Sequence, residues 1–272
     1  MLKTLKVRCA VKMRDKRSKI VFMGFSGLTG AGKTTLIDCL ARRIEKSILS
    51  SLALVLDLDK FAHALYDFQK VKEALLKTFG TCKRKEIARV VFSSGGRTAR
   101  ISRAELDNLQ KLNAIFDPYF ERLFKALRKI DVLINDNKLE VDELARYLLK
   151  NSLNSKEVDA IVDKFEFLQL YPTKIEGCGE GLSVYVIVDG YRTVDFAEIF
   201  DLLFFAVVDG REQVLRLEKR DIGNWLDRLQ VQRGEFENKV VNSKNVFLID
   251  SSNSLQAAEW AFSLLNLLRT EI

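Results

Sequence analysis

The segment Gly27-Leu28-Thr29-Gly30-Ala31-Gly32-Lys33-Thr34 constrains this chain more than any other feature. It satisfies G-x-x-x-x-G-K-[ST] in full, a spacing in which glycines let backbone N–H groups curl around a phosphate. The context agrees with the motif. Ahead of it the apolar run Ile20–Phe25 reads as a buried strand, and behind it Leu36, Ile37 and Leu40 recur at helical spacing, so a helix begins near Lys33. A flexible glycine-rich turn would share the spacing but not these flanks. The helix N-terminus adds partial positive charge where phosphates would lie. Gly27 through Thr34, with Thr35, are thus expected to bind a nucleoside triphosphate with Mg²⁺. Lys33 would neutralise the β- and γ-oxygens, and the Thr34 hydroxyl would ligate the metal.

With 272 residues, 47% of them hydrophobic, the chain can bury a full core in one large domain or in a domain carrying an insertion. The apolar run Leu52–Leu56 stops at Asp57, and no apolar run reaches the roughly 18 residues of a membrane span. The N-terminus has no apolar stretch of the secretory kind. Cys9, Cys39, Cys82 and Cys178 lie far apart and form no CxxC pair, which fits free thiols in a reducing cytoplasm. A net charge of +7 invites a nucleic-acid reading. Much of the excess, however, sits in Lys3, Lys6, Arg8, Lys12, Arg14, Lys16, Arg17 and Lys19, and a protein handling phosphates needs basic residues anyway. A small-molecule acceptor is therefore expected, with neither nucleic acid nor membrane as partner. Residues 1–18 read as a basic extension that could be a leader, a solvated tail, or sequence upstream of a start at Met13.

From Ile20 onward, short apolar runs alternate with helical stretches. Five are expected to be buried parallel strands: Ile20–Phe25, Leu52–Leu56, Val184–Val188, Leu203–Val208 and Val246–Ile249. The stretch between the second and third is too long for one crossover helix. Its first part, to about Ile130, reads as helices broken at Gly95-Gly96. In its second part Leu139, Val141, Leu144, Tyr147 and Leu148, then Val158, Ile161, Val162 and Phe165, recur at helical spacing as an amphipathic hairpin. The run Asn135–Glu143 is faintly like a calcium loop, but the EF-hand spacing would place Val132 and Ile134 at ligand positions, so calcium is not expected. The expected division is 1–18 extension, 19–130 first part of the core with a helical acceptor region, 131–182 helical insertion, and 183–272 second part of the core with a lid.

A convincing D-x-x-G and N-K-x-D pair of the GTPase kind is missing. Strand two ends in Asp57-Leu58-Asp59, which puts a carboxylate at the sheet edge beside the phosphate loop. There Asp57 could organise Mg²⁺ or accept a hydroxyl proton, or simply cap the next helix. After strand four, Arg216 and Arg220 share one helix face, either folded over the triphosphate or solvated. His63, Cys39 and Trp225 read as structural.

These residues resemble the dephospho-CoA kinase family. The likeness runs through Gly24–Thr34, through Asp57-Leu58-Asp59, similar to the family's Asp-Ala-Asp, and through Phe79-Gly80 and Ile87–Phe92 of its acceptor region. It continues in Gln213-x-x-Arg216-x-x-x-Arg220-Asp221 and Arg228-Leu229-x-x-Gln232, which look like its lid, and in Phe247–Asp250 beside the adenine site. The resemblance implies a P-loop kinase fold: a five-stranded parallel sheet flanked by helices, with a helical acceptor and lid region and here an α-helical insertion. It further implies γ-phosphoryl transfer from ATP to the ribose 3′-OH of dephospho-CoA. Asp57 would be base or Mg²⁺ organiser, Lys33 and Arg216 charge stabilisers, and Arg220 a nucleotide contact. Asp117-Pro118 stands where the family has His-Pro, and Val188–Arg192 where it has Pro-Leu-Leu. Asp189 could then serve the metal and Arg192 an acceptor phosphate, which reads more like a nucleoside monophosphate kinase. A nucleotide-binding regulator without turnover is the remaining alternative.

Overall fold

The strands form where the chain is apolar without interruption, because a strand covered on both faces has no solvent side to make polar. The computed structural model describes residues 19–48, 51–92, 103–130, 141–153, 167–172, 183–220, 229, 232–233 and 246–271. In chain order the strands are β1 (Lys19–Gly27), β2 (Ser51–Asp57), β3 (Leu168–Pro172), β4 (Ser183–Asp189), β5 (Leu202–Val207) and β6 (Val246–Asp250). All seven residues of β4 are buried. The helices are α1 (Lys33–Ser47), α2 (Leu58–Leu65), α3 (Gln69–Phe79), α4 (Arg84–Phe92), α5 (Arg103–Leu127), α6 (Val141–Leu153), α7 (Gly210–Arg220) and α8 (Ser254–Glu271). A 3₁₀ segment covers Tyr191–Ile199.

The sheet runs in the order β3-β2-β4-β1-β5-β6. All five strands anticipated from sequence are present and mutually parallel. The expectation of a five-stranded parallel sheet needs one correction: β3 is a sixth strand, antiparallel to β2 from Leu52↔Pro172 to Leu56↔Leu168. It lies within 131–182, in the stretch read as helical. Leu168-Gln169-Leu170-Tyr171 alternates over too few residues to announce a strand, and the closing Pro172 is tolerated because an edge strand need not donate every N–H. Earlier in the same stretch, α6 does form, with Leu144, Leu148, Leu149 and Leu153 buried. The second helix anticipated there, carrying Val158 and Phe165, lies outside the described residues, as do 1–18, Gly95-Gly96 and Trp225.

One face of the sheet packs Leu54, Leu56, Val186 and Val188 against Phe61, Phe116, Phe120, Phe124 and Leu148 of the α2–α6 side. The other packs Met23, Phe25, Ile187 and Phe204 against Leu36, Leu40, Ile44, Ala261 and Leu265 of α1 and α8. The chain leaves β1 toward β2 on one side and leaves β4 toward β5 on the other. This opens a crevice at the carboxyl ends of β1 and β4, where open α/β sheets bind ligands. Among the described residues no helix is long and apolar enough to cross a membrane.

Candidate active site

The loop after β1 takes a shape only glycine permits. Gly30 and Gly32 have φ of +82° and +81°, and the Ala31 N–H donates to the Leu28 carbonyl at 3.1 Å. A Cβ on Gly30 would lie 2.7 Å from Leu217 Cγ, and one on Gly32 would lie 2.6 Å from Arg216 Nη1. Backbone freedom and close approach thus both require glycine here. No side chain caps α1, so its first N–H groups, which have no intrahelical acceptor, are left for an anion. Lys33 reaches back over the loop, its Nζ donating to the Gly27 carbonyl at 2.9 Å.

Two glutamines pin the loop from outside. Gln213, 3% exposed on α7, donates through Nε2 to the Thr29 carbonyl at 2.7 Å. The Thr29 N–H and hydroxyl both donate to Gln232 Oε1 at 2.8 Å. Leu217, fully buried, closes over Gly30. From the far side, the Ser251 hydroxyl donates to the Ala31 carbonyl while its N–H donates to Val207 O at 2.8 Å. Arg216 lies beside Gly32, but its guanidinium is already engaged. It donates to the Glu212 carboxylate and, at 3.3 Å, to the Ser251 carbonyl. The side chain of Arg220 lies outside the described residues. Gln213 and Gln232 were visible in the sequence only through the lid resemblance, and Ser251, whose hydroxyl bonds only backbone carbonyls, left no signal.

Opposite the loop, β2 and β4 end side by side, Asp57 in register with Asp189. The Thr34 hydroxyl donates to Asp189 Oδ2 at 2.9 Å. Burial pushes the Asp189 carboxyl up to about 6, against the Lys33 charge and the Thr34 hydrogen bond, which pull it down; Asp59 and Asp57 push it further up. Burial also raises the Asp57 carboxyl, although Asp57 Oδ1 accepts the Lys60 N–H at 2.9 Å. Capping of α2 and placement in the site therefore coexist at Asp57. Thr34, Asp57 and Asp189 line one cleft. Among the described residues no group of three or more His, Cys, Asp or Glu side chains forms a metal cage. A hydroxyl and two carboxylates suit Mg²⁺, which binds through one or two carboxylates, waters and substrate phosphates.

The two departures from the family pattern meet each other. Arg192 Nη2 lies 2.5 Å from Asp117 Oδ1, and Arg192 Nε lies 2.9 Å from Asp195 Oδ2. The guanidinium also sits 5.4 Å from the Phe120 ring centroid. Arg192 is thereby turned toward α5 and does not line the cleft that holds Asp57 and Asp189. His63 is exposed on α2 and does not line it either, and Cys39 packs against the α1 core.

No family model matches the chain, and no curated protein does. Among solved structures, TT1252 from Thermus thermophilus is 18% identical, with 92% of this chain and 97% of that one covered and a TM-score of 0.46. A deoxyadenosine kinase from M. mycoides, with the products dCMP and a flexible dCDP bound, is 15% identical, with 90% and 99% covered and a TM-score of 0.32. The geometry of the site carries the functional reading by itself.

Proposed function

We propose that this chain is a phosphotransferase that passes the γ-phosphoryl of ATP to an oxygen, in the first reading a hydroxyl, of a small-molecule acceptor. One observation supports the reading: Thr34, at the end of the glycine loop, bonds Asp189, and Thr34, Asp57 and Asp189 line one crevice at the ends of β2 and β4. Loop N–H groups and Lys33 bind the triphosphate. Thr34 and Asp189 are the residues that would hold Mg²⁺, which when bound would neutralise charge on the phosphates, and Asp57 stands beside them. Asp57 accepts the proton of the acceptor hydroxyl as its oxygen attacks, and the bond to the leaving ADP oxygen breaks. Burial lifts Asp57 toward the pH range where such a base works. Arg216, beside Gly32, adds positive charge if it releases Glu212.

The resemblance makes the 3′-OH of dephospho-CoA the first acceptor to test. A nucleoside monophosphate is the second, favoured by a carboxylate at Asp189 where the resembled family has an apolar segment. The deciding experiment measures ADP release from ATP and Mg²⁺ with each acceptor, for the wild type and Lys33→Ala. Acceptor-dependent release that Lys33→Ala abolishes supports the reading. ATP binding with silence on every acceptor overturns it in favour of a regulator.

A further inference from the structure

Beyond Asp57 the crevice continues as a cleft of about 430 Å³ that reaches the unanticipated edge strand. This is within the range of small-molecule sites, roughly 300–1,000 Å³. Three elements each aim one face into it. From α1 come Thr34, Ile37 and Asp38, at the spacing that shares a helix face, so the helix that opens the phosphate site also walls this one. Val55 and Asp57 come from β2, and Gln169 and Tyr171 from β3, in each case two residues apart on one side of the strand.

The far end of the cleft is a fixed polar cluster. The Tyr171 hydroxyl donates to Asp38 Oδ1 at 2.8 Å and lies 3.1 Å from Gln169 Oε1. Arg42 Nε donates to Asp38 Oδ2 at 2.9 Å. Burial alone would raise the Asp38 carboxyl, but the bonds from Arg42 and Tyr171 outweigh it and hold it below its ordinary value. Burial, with Asp38 accepting its proton, pushes the Tyr171 hydroxyl up to about 12. Asp38 thus stays a charged acceptor and Tyr171 a donor, and a carboxylate with two bonds keeps further lone pairs for a ligand.

Charge then selects the ligand. Among the described residues the cleft is lined by Asp38, Asp57 and Asp189 against Lys60; Arg42, at the far end, is already bonded to Asp38, and of the carboxylates Asp189 would share its charge with Mg²⁺. A phosphomonoester, which carries about −1.5 to −2 at neutral pH, would meet Asp38 and Asp57, with Arg42 already paired and Lys60 alone to balance it. Hydroxyl groups would instead donate to Asp38 in charge-assisted bonds, while Ile37 and Val55 cover a carbon face.

On the phosphotransferase reading, we infer that the cleft between α1 and β3 binds a phosphate-free, polyhydroxylated acceptor moiety of the pentose or nucleoside class, held by Asp38, Tyr171 and Gln169 with its reacting alcohol at Asp57. The alcohol O–H gives its proton to Asp57, a bond forms from its oxygen to the γ-phosphorus, and ADP leaves with the electrons of the broken bond. Any phosphate carried by the acceptor lies outside the cleft, so a phosphate oxygen is not the group phosphorylated.

The test is steady-state ADP release with a set of nucleosides, their 5′-monophosphates and dephospho-CoA, together with identification of the phosphorylated position. Wild type, Asp38→Asn, Tyr171→Phe and Gln169→Ala are compared. Gln169 is exposed, so its truncation leaves folding intact. The expected result is phosphorylation at a sugar hydroxyl. Each substitution should raise acceptor KM, about tenfold for Asp38→Asn, with the KM for ATP unchanged. An active wild type whose acceptor KM is the same in all three variants overturns the cleft while leaving the phosphotransferase reading in place. A nucleoside diphosphate product does the same. A wild type that binds ATP but turns over no acceptor overturns both.

Discussion

The proposed donor side and the proposed acceptor side of this crevice are built in opposite ways. The donor side is one contiguous loop, Gly27–Thr34, whose shape follows from its own glycines and which distant residues merely brace. The acceptor side is assembled from separate elements, Tyr171 meeting Asp38 across 133 positions of sequence. A local device can be altered at a single residue, whereas an assembled one depends on packing. Substitutions on the two sides should therefore fail differently, the first in chemistry with the fold intact, the second in affinity or stability.

The largest separation is expected from Lys33→Ala, which should lower kcat by a factor on the order of 10²–10³ through lost charge stabilisation, with thermal stability unchanged. Comparable stability loss alongside the kinetic loss would blur the comparison. Away from both sides, against α5, Arg192→Ala removes the cation that Asp117 and Asp195 share and should cost roughly 3 kcal/mol of stability by denaturant titration. A loss of acceptor affinity with no loss of stability would instead make Arg192 a binding residue.

Between the two sides stands Asp189, whose burial couples the site to pH. Its carboxyl rises in the fold from an ordinary value of 3.8 to about 6. A group whose folded value is raised stabilises the fold while protonated, and that contribution is lost as pH climbs through the folded value. The ligand-free protein should thus lose roughly 3 kcal/mol between about pH 4 and pH 7 from this group, and Asp189→Asn should flatten that slope. A stability that increases over the same interval would contradict the assignment. A smaller effect is expected from Gln213→Leu, which leaves the Thr29 carbonyl without its buried donor. The cost should be about 1–3 kcal/mol in stability, with a few-fold higher KM for ATP.

The same contrast explains what sequence could reveal. The five parallel strands were legible because burial on both faces makes each a continuous apolar run, and the phosphate loop because its residues are adjacent. Asp57 and Asp189 were legible as carboxylates closing apolar strands. Strand β3 was not, since its alternation is only a few residues long and its place is set by pairing with β2. Nor was the meeting of Asp117 with Arg192, because neither local sequence says that the first turn of the 3₁₀ segment packs on the middle of α5. Each residue alone reads as a departure from a family pattern. Together they are one ion pair, and that pair takes Arg192 away from the acceptor role the sequence had suggested.

The most direct test of the account separates donor binding from transfer at one residue. Asp57→Asn keeps the cap of α2, since asparagine caps a helix as well as aspartate, but it removes the base. Mg²⁺·ATP affinity by calorimetry and single-turnover transfer should be measured on the same preparation. The account predicts affinity within about threefold of wild type and transfer slower by on the order of 10²–10⁴. Transfer at the wild-type rate would contradict it.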